Sequence, residues 1–111
     1  MKVSDFAAAL GLRILTGDAG LDREVGGVYA SDLLSRVMAK SSRGDAWITV
    51  HTHINTVAVA VLSDLSCIIV PEDIPVEETT LNRARLEGIP ILSGSMSTYE
   101  IYWRAHEILT D

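Results

Sequence analysis

The residues best able to do chemistry gather in short polar stretches, each following an apolar run. Ser31 and Asp32 follow GGVYA. His51, Thr52, His53, Asn55 and Thr56 follow DAWITV, Glu72 and Asp73 follow CIIVP, and Ser93, Ser95 and Ser97 follow IPIL. A helix starting just after such a stretch presents unpaired backbone N–H groups, and its dipole favours negative charge there. The chemistry on offer is binding of a small anion, a phosphate or a carboxylate. Backbone amides near residues 52–56 would act with the side chains of Ser31, Asp32, His51, Thr52, His53, Asn55, Thr56, Ser93 and Ser95. Each Ser, Thr or Asn taken alone reads first as the cap of its own helix.

Other chemistries find less support. His51 and His53 stand at i, i+2 and would share one face of an extended strand, but a metal site needs a third ligand. His106 falls in the last helical segment, so no metal site is assigned. The run GDAGLDREVGG matches neither the dinucleotide fingerprint nor the phosphate loop. Its glycines read as turn residues free to take positive φ, and Asp22 with Arg23 reads as a solvated ion pair. Cys67, within SCIIV, reads as a small buried hydrophobe. Trp47 and Trp103 read as core or interface residues. No catalytic residue and no cofactor are assigned.

The elements that must position these residues follow from periodicity and punctuation. Ser4 is placed to cap a helix over residues 5–10 that Gly11 ends. A short strand is expected over 12–15, a turn-rich loop over 16–21 and a strand over 25–30. A helix capped by Ser31 or Asp32 then runs to about Lys40. Strand 46–50, helix 54–64, strand 67–70, a helix ending at Gly88, strand 89–92 and a last helix to about Leu109 follow. That last helix opens on a capping box, Ser97 with Glu100. Alternation at this spacing predicts an α/β fold, a mainly parallel sheet with helices on both faces. The first helix and strand stand outside the alternation and suit an antiparallel edge. No linker or repeat interrupts the chain, so residues 1–111 read as one domain.

Helix 54–64 carries Val57, Ala58, Val59, Ala60, Val61 and Leu62 in succession and shows almost no polar face. A surface helix shows one apolar stripe. Either the chain's own sheet and a neighbouring helix bury it, as in a monomer with a central helix, or it also packs on a second subunit. The second is expected, a symmetric homodimer with Val57, Val59, Ala60 and Val61 at its interface.

Composition narrows the classes further. Hydrophobic residues make up 48% of the chain and charged residues 22%, which is ordinary globular composition. The net charge of −6 and the lack of a basic stripe exclude nucleic acid as an expected partner. The chain holds no run of about 18 apolar residues, so no membrane span is expected. MKVSDFAAALGL does not read as a signal peptide, which leads to the expectation of a cytoplasmic protein.

The runs LDREVGGVYASDLLSRVMAK, DAWITVHTHINTVAVAVLSDLSCIIV and EGIPILSGSMSTYEI resemble the DRTGG domain family over nearly the whole chain. The most specific parts are Asp22-Arg23 with Gly26-Gly27, the HTHINTVAVAVL block, and EGIPIL. This chain has DREVGG where the family name would place DRTGG. The resemblance implies an α/β sandwich, dimeric association and a regulatory or scaffolding role. It extends to the regulatory domain of CBS-domain pyrophosphatases and phosphotransacetylases and to the non-catalytic N-terminal domain of HPr kinase. The combined expectation is a non-catalytic, ligand-sensing regulatory domain that takes a small anionic ligand such as a nucleotide and acts as a dimer. The alternative is a docking or scaffold module for a metabolic enzyme, acting through the apolar helix. A small metal-dependent enzyme using His51 and His53 comes last.

Overall fold

Strand β4, Cys67–Val70, sets the layering of the molecule. Cys67 and Ile69 bury toward one face of the sheet, Ile68 and Val70 toward the other. A strand with no solvent face requires helices on both sides. The computed structural model describes residues 1–110 and meets that requirement with ten elements. They are α1 (Val3–Leu10), β1 (Arg13–Ile14), β2 (Gly27–Ala30), α2 (Leu34–Lys40), β3 (Asp45–Ile48), α3 (Asn55–Leu62), β4, α4 (Glu78–Glu87), β5 (Ile91–Ser93) and α5 (Thr98–Leu109).

The sheet order is β1-β5-β4-β3-β2. Strands β2 to β5 are parallel, and β1 closes one edge antiparallel to β5, with Arg13 opposite Ser93. One core holds Val37 of α2, Val57, Val59 and Ala60 of α3, and Leu81 and Ala84 of α4, packed on Trp47, Ile68, Val70 and Ile91. The other holds Val3, Phe6 and Ala7 of α1 and Ile101 and Ala105 of α5, packed on Ala46, Ile48, Cys67, Ile69 and Leu92. The three crossover helices thus share one face, while α1 and α5 share the other. Full burial of a side chain such as Ile68 stabilises the fold by about 1.5–3 kcal/mol.

The α/β class, the mainly parallel sheet and the antiparallel first strand match the expectation, while several local details differ. Helix α1 begins one residue before Ser4, and Lys2 occupies its N-cap without a side-chain bond. Ser4 instead gives its N–H to Leu21 O, joining the helix to the loop below it. Helix α2 begins only at Leu34 and has no side-chain cap either. Ser97 does cap α5, accepting from Glu100 N–H at 3.2 Å.

Trp47 is fully buried, and its indole N–H donates to Ser31 O at 2.8 Å. Trp103 stands exposed on α5. Val57, Val59 and Ala60 are buried within the chain's own core, leaving Ala58, Val61 and Leu62 of α3 facing outward. Of the four residues expected at a dimer interface, Val61 alone is free to meet a partner. The helix is apolar because the sheet and its two flanking helices cover most of it.

The loop between β1 and β2 is pinned to the end of α4. Gly20 has φ +66°, and a Cβ placed there would lie 2.1 Å from Gly88 O. Gly17 also has positive φ, but its added Cβ would meet nothing within 4 Å. Gly17→Ala is expected to cost only the left-handed penalty, about 1–2 kcal/mol. Gly20→Ala adds a clash with backbone, so its cost in urea unfolding should exceed that of Gly17→Ala by at least about 1 kcal/mol. Equal costs would show that this loop is not held against α4.

Candidate functional site

Because β2 to β5 are parallel, their C-terminal ends lie along one edge of the sheet, and every polar stretch singled out above sits there. Ser31 and Asp32 end β2, residues 49–56 follow β3, Pro71 to Asp73 follow β4, and Ser93 to Ser95 end β5. The structure brings these residues to a common edge and also shows how each is used.

Asp32 does not cap a helix. Its Oδ1 accepts from Thr49 Oγ1 and from Val50 N–H, each at 2.9 Å, and so ties the end of β2 to the end of β3. Ser31 Oγ accepts from Leu33 N–H at 3.2 Å. The loop after β3 then bonds largely to itself. His51 N–H donates to Thr49 Oγ1, and Asn55 N–H donates to His53 Nδ1, each at 3.1 Å. Thr56 Oγ1 donates to His53 O at 2.8 Å. Thr80 Oγ1 of α4 donates to Thr52 O at 2.8 Å. Thr56 is buried, whereas His51, His53 and Asn55 are exposed. The amides of Asn55, Thr56 and Val57 are already bonded, so the start of α3 offers an anion fewer free N–H groups than the sequence implies.

Topology directs attention one strand further along. In open α/β sheets ligands collect where the loops from neighbouring strands leave toward opposite faces. The loops after β2, β3 and β4 all lead to the same face, and only the loop after β5 crosses to the other. The divergence therefore falls between the ends of β4 and β5. There Asp73 N–H donates to Gly94 O at 2.8 Å and Glu72 N–H donates to Met96 O at 3.0 Å, joining the two loops. Glu72 and Asp73 have φ of 59° and 53°, and Ile74 N–H donates back to Pro71 O at 3.2 Å. This is a tight turn with two left-handed residues, a geometry that favours Gly, Asn or Asp over Glu.

Arg13 of β1 completes this group. Its guanidinium Nη2 donates to Asp73 Oδ1 at 3.1 Å and to the buried Ser93 Oγ at 3.3 Å. Sequence reading missed Arg13, since only the antiparallel pairing of β1 with β5 places it beside Ser93. Ser95 follows on the exposed side of the loop. The chain is acidic overall, and Asp32, Glu72 and Asp73 stand at this edge. A guanidinium held by a mostly exposed partner is what an incoming anion can capture, because such surface pairs are worth only about 0–1 kcal/mol.

No group of three or more His, Cys, Asp or Glu side chains able to hold a metal occurs among the described residues. Cys67 is fully buried, and desolvation pushes its thiol up to about 12, which keeps it protonated and unreactive at neutral pH. No described helix is long and apolar enough to cross a membrane.

No protein-family model matches the sequence, and no curated protein is significantly similar to it. Among solved structures, the chain is similar to the CBS and DRTGG domains of the regulatory region of Clostridium perfringens pyrophosphatase, determined with the activator diadenosine tetraphosphate. The TM-score is 0.68 at 11% identity, and the match covers 94% of this chain. The fold is DRTGG-like. The chain spans 45% of the length of that regulatory region.

In this DRTGG-like fold the DREVGG segment works as a structural brace. Arg23 Nε donates to Gly88 O at 2.7 Å, which accounts for the arginine without an Asp22 pair. Gly26 and Gly27 do not take positive φ, contrary to the turn reading. Gly27 is required because a Cβ there would lie 2.8 Å from Oδ1 of the buried Asp45. Asp45 is held in place by Ser42 N–H, which donates to its Oδ2 at 2.8 Å.

The link from Asp32 to β3 can be tested directly. Asp32→Ala leaves the buried Thr49 hydroxyl without its acceptor and is expected to cost about 1–3 kcal/mol in urea unfolding. Asp32→Asn keeps an acceptor oxygen and should cost less than half as much. Wild-type stability in both variants would mean that this link contributes nothing.

Proposed function

We propose that this chain is a non-catalytic regulatory domain, working as a homodimer, that senses a small anionic ligand such as a nucleotide. The ligand lies across the C-terminal edge of the sheet. The observation that carries the reading is the Arg13–Asp73–Ser93 group at the point where the β4 and β5 loops diverge. A phosphate takes the place of the Asp73 carboxylate on the Arg13 guanidinium, which offers planar, bidentate recognition. Ser95 and the exposed His51, His53 and Asn55 flank the rest of the ligand. Support also comes from the likeness to a regulatory region that binds diadenosine tetraphosphate.

A second reading, a docking module for a partner enzyme, is favoured by one observation. Leu62 of α3 and Leu86 of α4 are 77% and 79% exposed on the helical face away from α1 and α5. Exposed leucines at this level suit a protein partner.

Thermal unfolding against adenosine mono-, di- and triphosphates, diadenosine tetraphosphate and inorganic phosphate separates these readings. A ligand that binds only the folded state raises the midpoint with its concentration. The sensing reading predicts a rise with one of the nucleotides, loss of that rise in Arg13→Ala, and a stronger rise in Asp73→Asn. The Asn variant suits the left-handed backbone at this position and frees the guanidinium. No rise with any compound, together with a stable complex formed with a partner enzyme alone, would establish docking instead.

A further inference from the structure

We infer that the dimer forms edge to edge through β2, with two copies of the strand pairing antiparallel about a two-fold axis at Tyr29. This rests on the dimeric reading above and replaces the α3 interface expected from the sequence. Strand β2 is the outer strand of the sheet. Ser31 N–H donates to Ile48 O, and the register pairs Ala30 with Ile48 and Tyr29 with Trp47. Alternate residues of a strand bond to opposite sides, so Tyr29 and Ser31 turn their peptide groups toward β3. Val28 and Ala30 then point theirs outward. The Tyr102 hydroxyl lies 3.5 Å from Val28 O, the far limit of a hydrogen bond, and His106, Leu109 and Thr110 of the α5 end flank the same cleft beside Gly26 and Gly27.

An outer strand normally carries a guard against pairing, such as a charge, a proline or a bulge. At the opposite edge β1 is two residues long and carries Arg13. Strand β2 has four residues, GVYA, with no charge, proline or bulge. Gly26, just before it, has neither positive φ nor any atom closer than 3.8 Å to an added Cβ. The chain itself has no need of a glycine there, and its absence of side chain leaves the end of the edge open.

A second copy is the occupant that fits these groups. With the axis at Tyr29, Val28 lies opposite the partner's Ala30, and the two residues exchange both N–H···O bonds, as do Ala30 and the partner's Val28. All the outward groups of the strand are then satisfied. The two Tyr29 rings meet as a close cross-strand aromatic pair. No charged residue lies between Val25 and Ser31, so two chains of net charge −6 meet here without like-charge contact. Helix α5 extends the same surface. Tyr102, 43% exposed, lines the cleft beside Gly26, Gly27 and Val28 together with His106 and Leu109. A part-exposed Tyr beside an open strand is a residue that interface cores favour. Glu100 and Arg104 on this helix neutralise each other at 3.3 Å.

Sedimentation of the wild-type chain and three variants over a range of concentrations tests the pairing. Val28→Pro removes an outward N–H that no internal bond uses, a substitution edge strands tolerate. Tyr102→Glu charges the α5 flank of the β2 edge, and Val61→Glu charges the outer side of α3. The expected result is a wild-type dimer whose dissociation constant rises at least about tenfold in Val28→Pro and in Tyr102→Glu, with Val61→Glu unchanged. A wild-type dimer broken by Val61→Glu and untouched by the other two would overturn the β2 pairing and leave the dimer standing. A wild-type chain that is monomeric throughout would overturn the dimer itself.

Discussion

Everything in this molecule follows from the double-sided burial of its central strands. Cys67 to Val70 contribute side chains to both cores, and Ala46 to Ile48 do the same. Such strands cannot form a half-solvated sheet, so both faces must be roofed. Right-handed crossovers put α2, α3 and α4 on one face. That leaves the other face to α1 and α5, the elements outside the β2–β5 repeat. The one place where a connection changes face, after β5, is thereby set by the same constraint that stabilises the fold.

This origin explains the division of labour along the polar edge. The loop after β3 must return at once to a helix on the same face, and it spends its polar groups on that return: Thr49, His53 and Thr56 bond to neighbouring backbone, and Thr80 holds Thr52. The ends of β4 and β5 have no shared roof. They are joined by bonds between loops and by Arg13, whose partners Asp73 and Ser93 sit one on each side of the divergence. A ligand bound there would touch elements leading to both helical layers.

Much of this was legible in the sequence, for physical reasons. Continuous apolar runs such as CIIV announce strands buried twice over, and the alternation with helical segments announces parallel pairing. The residues of the polar edge were also legible, since parallel strands bring their ends together whatever the sheet order. Three things were not. The face taken by each connection depends on strand order, which no local pattern encodes, so the weight fell on residues 51–56 and Arg13 was overlooked. The apolar composition of α3 has two explanations, burial within the chain or by a partner, and only packing decides that Val57, Val59 and Ala60 belong to the chain's own core. Gly26 and Gly27 look like turn glycines until Asp45 is seen against Gly27.

The central claim is that the edge between β4 and β5 is where the domain meets its ligand. Amide hydrogen exchange, with and without the nucleotide that most raises the unfolding midpoint, tests it most directly. The account predicts slowed exchange concentrated in residues 72–74 and 94–96, with a smaller effect at residues 51–55 and little change in the loop of residues 16–21 at the opposite end of the sheet. Protection confined to that opposite end, or to the outer faces of α3 and α4, would contradict it.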